Sequence, residues 1–118
     1  PIGSERDEQE ASSWHFLAKN TQGSTIGTVR LQRLDEQRGQ LRYMAVAEKN
    51  QGKGIGKQLL KAAEKQATAL GMKSIFLQAR DNAVPFYLAN GYQVLEKTFL
   101  LYDEIQHYSM EKHLPHTF

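Results

Sequence analysis

Between residues 51 and 71 the chain reads Gln51-Gly52-Lys53-Gly54-Ile55-Gly56-Lys57 followed by QLLKAAEKQATALG, so three alternate glycines run directly into the clearest helical pattern of the sequence. At about 100° per residue, Ile55, Leu59, Ala62, Ala63, Ala67 and Leu70 share one face, and Lys53, Lys57, Lys61, Glu64 and Lys65 share the other. The spacing predicts an amphipathic helix over 54–71, with Gly71 placed to end it. Such a helix needs an apolar surface under that stripe.

The flanking segments supply one. SSWHFLAKN (residues 12–20) and STIGTVRLQRL (24–34) are two β-type runs joined by the turn-rich residues 20–24, and a second polar turn, residues 35–39, leads into GQLRYMAVAEK (39–49). In that third run Leu41, Tyr43 and Ala45 alternate before Met44 and Val46 make both faces apolar, the mark of a strand covered on both sides. After the helix, KSIFLQA (73–79) reads as a short buried strand and VPFYLANG (84–91) as a short helix with Pro85 in its first turn and Gly91 just beyond. Tyr92–Leu101 and Gln106–Leu114 close the chain as two strands around Tyr102, Asp103 and Glu104. The expected order is β-β-β-α-β-α-β-β, a single α+β domain over 1–118 with a mixed, mostly antiparallel sheet.

Composition narrows the function classes. A chain of 118 residues, 40% apolar and 24% charged, suits one domain. No stretch nears the roughly 18 apolar residues of a membrane span, and no signal-peptide succession opens the chain, so a soluble, cytoplasmic protein is expected. With no cysteine, disulfides, thiolate zinc sites and cysteine nucleophiles are excluded, and four scattered histidines suggest no metal site. The net charge of +2 argues against nucleic acid as a partner. The excess is concentrated: Lys53, Lys57, Lys61, Lys65 and Lys73 face only Glu64 within residues 53–73.

A strand-to-helix turn built of glycines lets the backbone approach a ligand, and the free N–H groups of the first helical turn favour phosphate there. The P-loop spacing fails, because Gly52 and Gly56 have three residues between them and Lys57 is followed by Gln58. The dinucleotide fingerprint fails too, since Lys57 stands where it needs glycine. Taken alone, the same residues also fit glycines that only cap a helix beside a solvated lysine face.

What does fit is (Gln/Arg)-x-x-Gly-x-(Gly/Ala), realised as Gln51, Gly54 and Gly56, preceded by Met44-Ala45-Val46 and followed by Phe86-Tyr87-x-x-x-Gly91-Tyr92. In motif and order the chain resembles the GNAT family of N-acetyltransferases from Ser12 to Leu114, and is most similar to its ElaA-like branch. Relative to that family the opening strand and helices, which help form the acceptor pocket, are expected to be absent from this chain. The resemblance implies a GNAT-like fold, acetyl-CoA as co-substrate, and direct acetyl transfer to a primary amine of a small molecule or protein in a ternary complex.

It also implies roles. Met44, Ala45 and Val46 would lie along the pantetheine arm where the sheet splays, with the Val46 N–H as oxyanion donor. Gly52, Lys53, Gly54, Ile55, Gly56 and Lys57 would surround the pyrophosphate, with Gln51 at the entry, and Tyr87 would protonate the departing thiolate. Arg80 stands where many members have a cofactor-contacting asparagine, and is a candidate for a CoA phosphate or an acidic acceptor. The position of the base some members use is Ile75, so the base is unassigned, with Glu104 and His107 as relay candidates. A non-catalytic acyl-CoA-binding sensor or interaction module is the alternative. With its opening elements absent, the strand holding Trp14 would be a sheet edge, and either a homodimer or disorder nearby would be expected.

Overall fold

The computed structural model describes residues 13–101 and 105–115. Three strands come first, β1 (Ser13–Lys19), β2 (Thr25–Arg33) and β3 (Arg38–Val46), followed by a 3-10 turn at Glu48–Asn50 and helix α1 (Ile55–Ala69). Strand β4 (Ser74–Arg80), a 3-10 turn at Asp81–Ala83, helix α2 (Val84–Ala89) and strands β5 (Gln93–Leu101) and β6 (Ile105–His113) follow, completing the elements of the described residues. The six strands form one sheet in the order β1-β2-β3-β4-β6-β5.

Short polar side chains set the first two hairpins. Asn20 Oδ1 accepts the N–H groups of Gln22 and Ser24 at 3.0 and 2.9 Å, and Asp35 Oδ1 accepts those of Gln37 and Arg38, both at 2.9 Å. Asp35 also meets Arg38 Nε at 2.7 Å, a contact that holds its carboxyl below the usual aspartate range. Helix α1 packs on β1, β2 and β3. Leu59, Leu60, Ala63 and Ala67 of α1 join Val29, Leu31, Leu41, Ile75, Leu77 and Met110 in the core. Trp14 packs against this core from the edge strand β1, half-buried, while His15 is exposed.

One junction of the sheet is incomplete. Strands β3 and β4 run parallel and pair only as Arg38↔Ser74, Gly39↔Ile75 and Gln40↔Phe76, whereas β4 pairs with β6 along its whole length, from Ser74↔His113 to Arg80↔His107. Beyond Gln40, β3 stays with β2 as far as Val46↔Gly27, across a register shift between Thr28 and Arg30. The upper half of β3 therefore leaves β4, and a gap opens between them.

Several local expectations change. The third strand ends at Val46 rather than running on to Lys49, because residues 48–50 curl into the 3-10 turn. It is not sealed on both faces: Leu41 is buried, but Ala45 is exposed where β3 departs from β4. On α1, Ala62 is exposed and Leu60 is buried, so the apolar stripe is rotated from the expected one. Glu64, expected on the solvated face, is half-buried against β6 and the end of α2. Tyr102, Asp103 and Glu104 lie outside the described residues, as does the opening segment 1–12.

Candidate functional site

The gap beside β3 continues into a cleft of about 600 Å³ between β3, the turn entering α1, and α2. Its lining brings together Met44, Ala45, Val46, Gln51, Gly52, Gly54, Ile55, Gly56, Lys57 and Tyr87. Four further residues line it: Asn50, Ala83, Phe86 and Asn90. Lys53 and Arg80 are exposed and stand outside the lining.

The turn wall is made of backbone. Gly52 and Gly54 have φ of +80° and +81°, a region that L side chains rarely adopt, and a Cβ at either would meet nothing within 4 Å. Gly54 is the N-cap of α1 and makes no side-chain cap hydrogen bond. The first turn of the helix thus keeps N–H groups that have no partner within it, and it contains no acidic residue. Gly56 serves a different purpose: a Cβ there would stand 3.1 Å from Phe86 Cζ, so the missing side chain lets α2 close against α1.

The strand wall is also polar through its main chain. Ala47 N–H bonds to Ile26 O at 2.8 Å, and antiparallel alternation then turns the N–H and C=O of Val46 away from β2, towards the gap. The Val46 carbonyl accepts Gln51 Nε2 at 3.0 Å, so Gln51 ties the turn back to the strand. Asn50 lines the cleft, and its Oδ1 is buried without a hydrogen-bond partner among the described residues.

Tyr87 brings a side-chain hydroxyl to the cleft. Its ring stacks edge-on against Phe86 and Tyr92, with centroids at 5.1 and 5.7 Å, and its hydroxyl donates to Met44 Sδ at 3.4 Å across the cleft. Burial pushes its phenol pKa above the ordinary tyrosine value. The phenol keeps its proton and holds it against sulfur. Among the described residues no three His, Asp or Glu side chains could hold a metal ion, and no helix is long and apolar enough to cross a membrane.

The residues that sequence reasoning passed over carry weak local signals. Phe86 was legible only as Tyr87's neighbour in the second motif, and Asn90 only as part of a helix end. Asn50 follows directly on what reads as strand, and both it and Ala83 belong to 3-10 turns that leave no pattern.

Comparison with known proteins gives consistent matches. A family model described as the acetyltransferase (GNAT) domain matches residues 4–114. The uncharacterized N-acetyltransferase YjcF of Bacillus subtilis (strain 168) is 33% identical over 112 residues, spanning 95% of this chain and 79% of that protein. Among solved structures, an acetyltransferase from Bacillus cereus ATCC 14579 superposes with a TM-score of 0.80 at 24% identity, covering 86% of this chain and 73% of that one. A GNAT family acetyltransferase from Elizabethkingia anophelis with acetyl-CoA bound gives 0.79 at 22% identity, covering 88% and 78%. At these identities the structural likenesses speak to the fold.

Proposed function

This chain belongs to the GNAT acetyltransferase family, and from that premise we propose that its cleft binds acetyl-CoA and passes the acetyl group to a primary amine of a small molecule or protein, by direct attack with both substrates bound. The chain is an acyltransferase; the cofactor, acceptor class and residue roles are the proposal. Acetyl-CoA, when bound, supplies an activated acetyl thioester.

The features of the cleft fit such a ligand. The open N–H groups at the start of α1, with Lys57 beside them, suit a pyrophosphate. Met44, Ala45 and Val46 form the strand edge of the arm, and the Val46 N–H is the donor for charge developing on the carbonyl oxygen. Gln51 braces this strand end against the turn. Lys53 and Arg80, outside the lining, contribute charge at a distance rather than contacts.

The observation that carries the reading is the Tyr87 hydroxyl, protonated by burial and already donating to a sulfur atom at the cleft wall. A phenol so placed is an acid for a thiolate leaving group, worth about 100-fold in rate or more. No covalent enzyme intermediate is needed, and juxtaposing two substrates in one cleft supplies much of the remaining advantage.

Calorimetric titration of acetyl-CoA into the protein and into Gly54→Glu tests the binding half. Binding by the wild type and its loss in the variant are expected, since the new carboxylate enters the phosphate wall. A primary-amine panel tests the transfer half, with Tyr87→Phe expected to lower kcat by about 100-fold while acetyl-CoA still binds. Binding without transfer to any amine of the panel would overturn the proposed acceptor class, and transfer that Tyr87→Phe leaves unchanged would overturn the role given to Tyr87.

A further inference from the structure

Helix α2 is only six residues long, has no side-chain N-cap bond and fully buries none of its residues. A helix this short does not hold itself in water, so the direction in which Tyr87 points must be set by what grips the helix from outside. The grip lies at its C-terminal end. Asn90 N–H and Tyr92 N–H both donate to Tyr87 O at 3.0 Å, and Asn90 Nδ2 donates to Phe86 O at 2.8 Å. The Tyr92 ring, 1% exposed, presses edge-on against that of Tyr87.

Tyr92 is itself held. Its hydroxyl donates to Glu64 Oε2 at 2.9 Å, while Lys112 Nζ meets Glu64 Oε1 at 3.0 Å and donates to Asn90 O at 3.0 Å. One carboxylate on α1 thus joins the end of α2 to strand β6. The ammonium sits at the carbonyl end of α2, where positive charge is favoured. Gly91 makes room for it, since a Cβ there would stand 3.2 Å from Lys112 Cε. Burial and the Glu64 carboxylate push the Tyr92 phenol pKa far up, so this donor stays protonated.

We infer that Tyr92, Glu64 and Lys112 form a clamp that positions Tyr87 relative to the glycine turn, an assignment that rests on the reading of Tyr87 given above. Glu64 lies on the same rigid helix whose first turn forms the phosphate wall, nine residues and roughly 13 Å along its axis from Ile55. The helix acts as a ruler, with the turn at one mark and the clamp at another. All three are positioning residues, and none lines the cleft.

The test is ¹⁹F NMR of the full chain labelled with 3-fluorotyrosine, the Tyr87 signal being assigned by its loss in Tyr87→Phe. Two variants are used: Tyr92→Phe, which keeps the ring and removes one hydrogen bond, and the paired Glu64→Gln/Lys112→Met, which removes both charges together. Both are expected to shift the Tyr87 signal and lower its titration midpoint relative to labelled wild type, at temperatures where circular dichroism shows a folded chain. With a primary amine that the wild type acetylates, kcat is expected to fall about tenfold or more while acetyl-CoA affinity stays within about twofold. A role in stability alone would lower the melting temperature and leave the Tyr87 titration where it was. An unmoved Tyr87 signal in both folded variants overturns the clamp even if acetyl-CoA binds. A moved signal in a protein that binds no acetyl-CoA upholds the clamp and removes the functional reading instead.

Discussion

Helix α1 is built by opposite rules at two places along its length. Its first turn is a surface of main-chain groups, with two positive-φ glycines before it and empty space where their side chains would be. Its middle is a packed junction in which Glu64 is satisfied on both oxygens by side chains from elsewhere. The first place keeps donors open, as a site for an exchangeable anion must; the second ties its charged groups to fixed partners, as a geometrical reference must. The difference is one of sequence distance as well. The turn is contiguous, whereas Tyr92 and Lys112 reach Glu64 from 28 and 48 residues away.

The largest effect should come from breaking the closed place. Lys112→Met leaves the Glu64 carboxylate, whose side chain is 15% exposed, without its cation, and is expected to cost about 3 kcal/mol in urea unfolding. An equal loss from an exposed charge on α1, such as Lys65→Met, would contradict the distinction. That control should stay within about 0.5 kcal/mol of wild type.

Two alanine substitutions in the turn separate strain from crowding. Gly54→Ala puts a side chain into open space at φ +81°, so strain of roughly 1–2 kcal/mol is expected, with the Phe86 side of the cleft unchanged. Gly56→Ala meets no such strain but drives a methyl against Phe86, 3.1 Å away. Its stability should change by about 1 kcal/mol or less, while kcat falls severalfold because Phe86 and Tyr87 must move together. Thermal unfolding and steady-state rates on the two proteins check the contrast, and identical behaviour would break it.

The smallest effects belong to the charges around the open place. Lys53→Ala and Arg80→Ala are each expected to weaken acetyl-CoA binding less than about threefold at physiological salt, and more at low salt, because they act across solvent. A tenfold loss at high salt from either would mean a direct contact.

These differences explain what could be read from the sequence. The order of elements and the turn itself were legible because each depends on neighbouring residues: alternation in strands, the 3.6-residue period of α1, and glycines entering it. The gap between β3 and β4 was not, since it begins where their pairing stops at Gln40 and β3 follows β2 across a register shift on its far side. Glu64 was misplaced on the solvated face for a related reason. Periodicity tells which residues share a face, but α1 turns its charged flank partly towards β6, and no pattern within the helix records that Lys112 waits there. Asn50 was lost because a 3-10 turn of three residues has no period to detect.

The central claim is that the main-chain wall of the turn receives the phosphates of acetyl-CoA. An ¹⁵N-resolved NMR titration of the full chain with acetyl-CoA addresses it residue by residue. The account predicts saturable shifts concentrated in the amides of Gly52, Gly54, Ile55, Gly56 and Lys57 and in Val46 N–H, with the amides around Lys112 nearly still. Saturable binding that moves other amides and leaves these five and Val46 unchanged, or no binding at all, would contradict it.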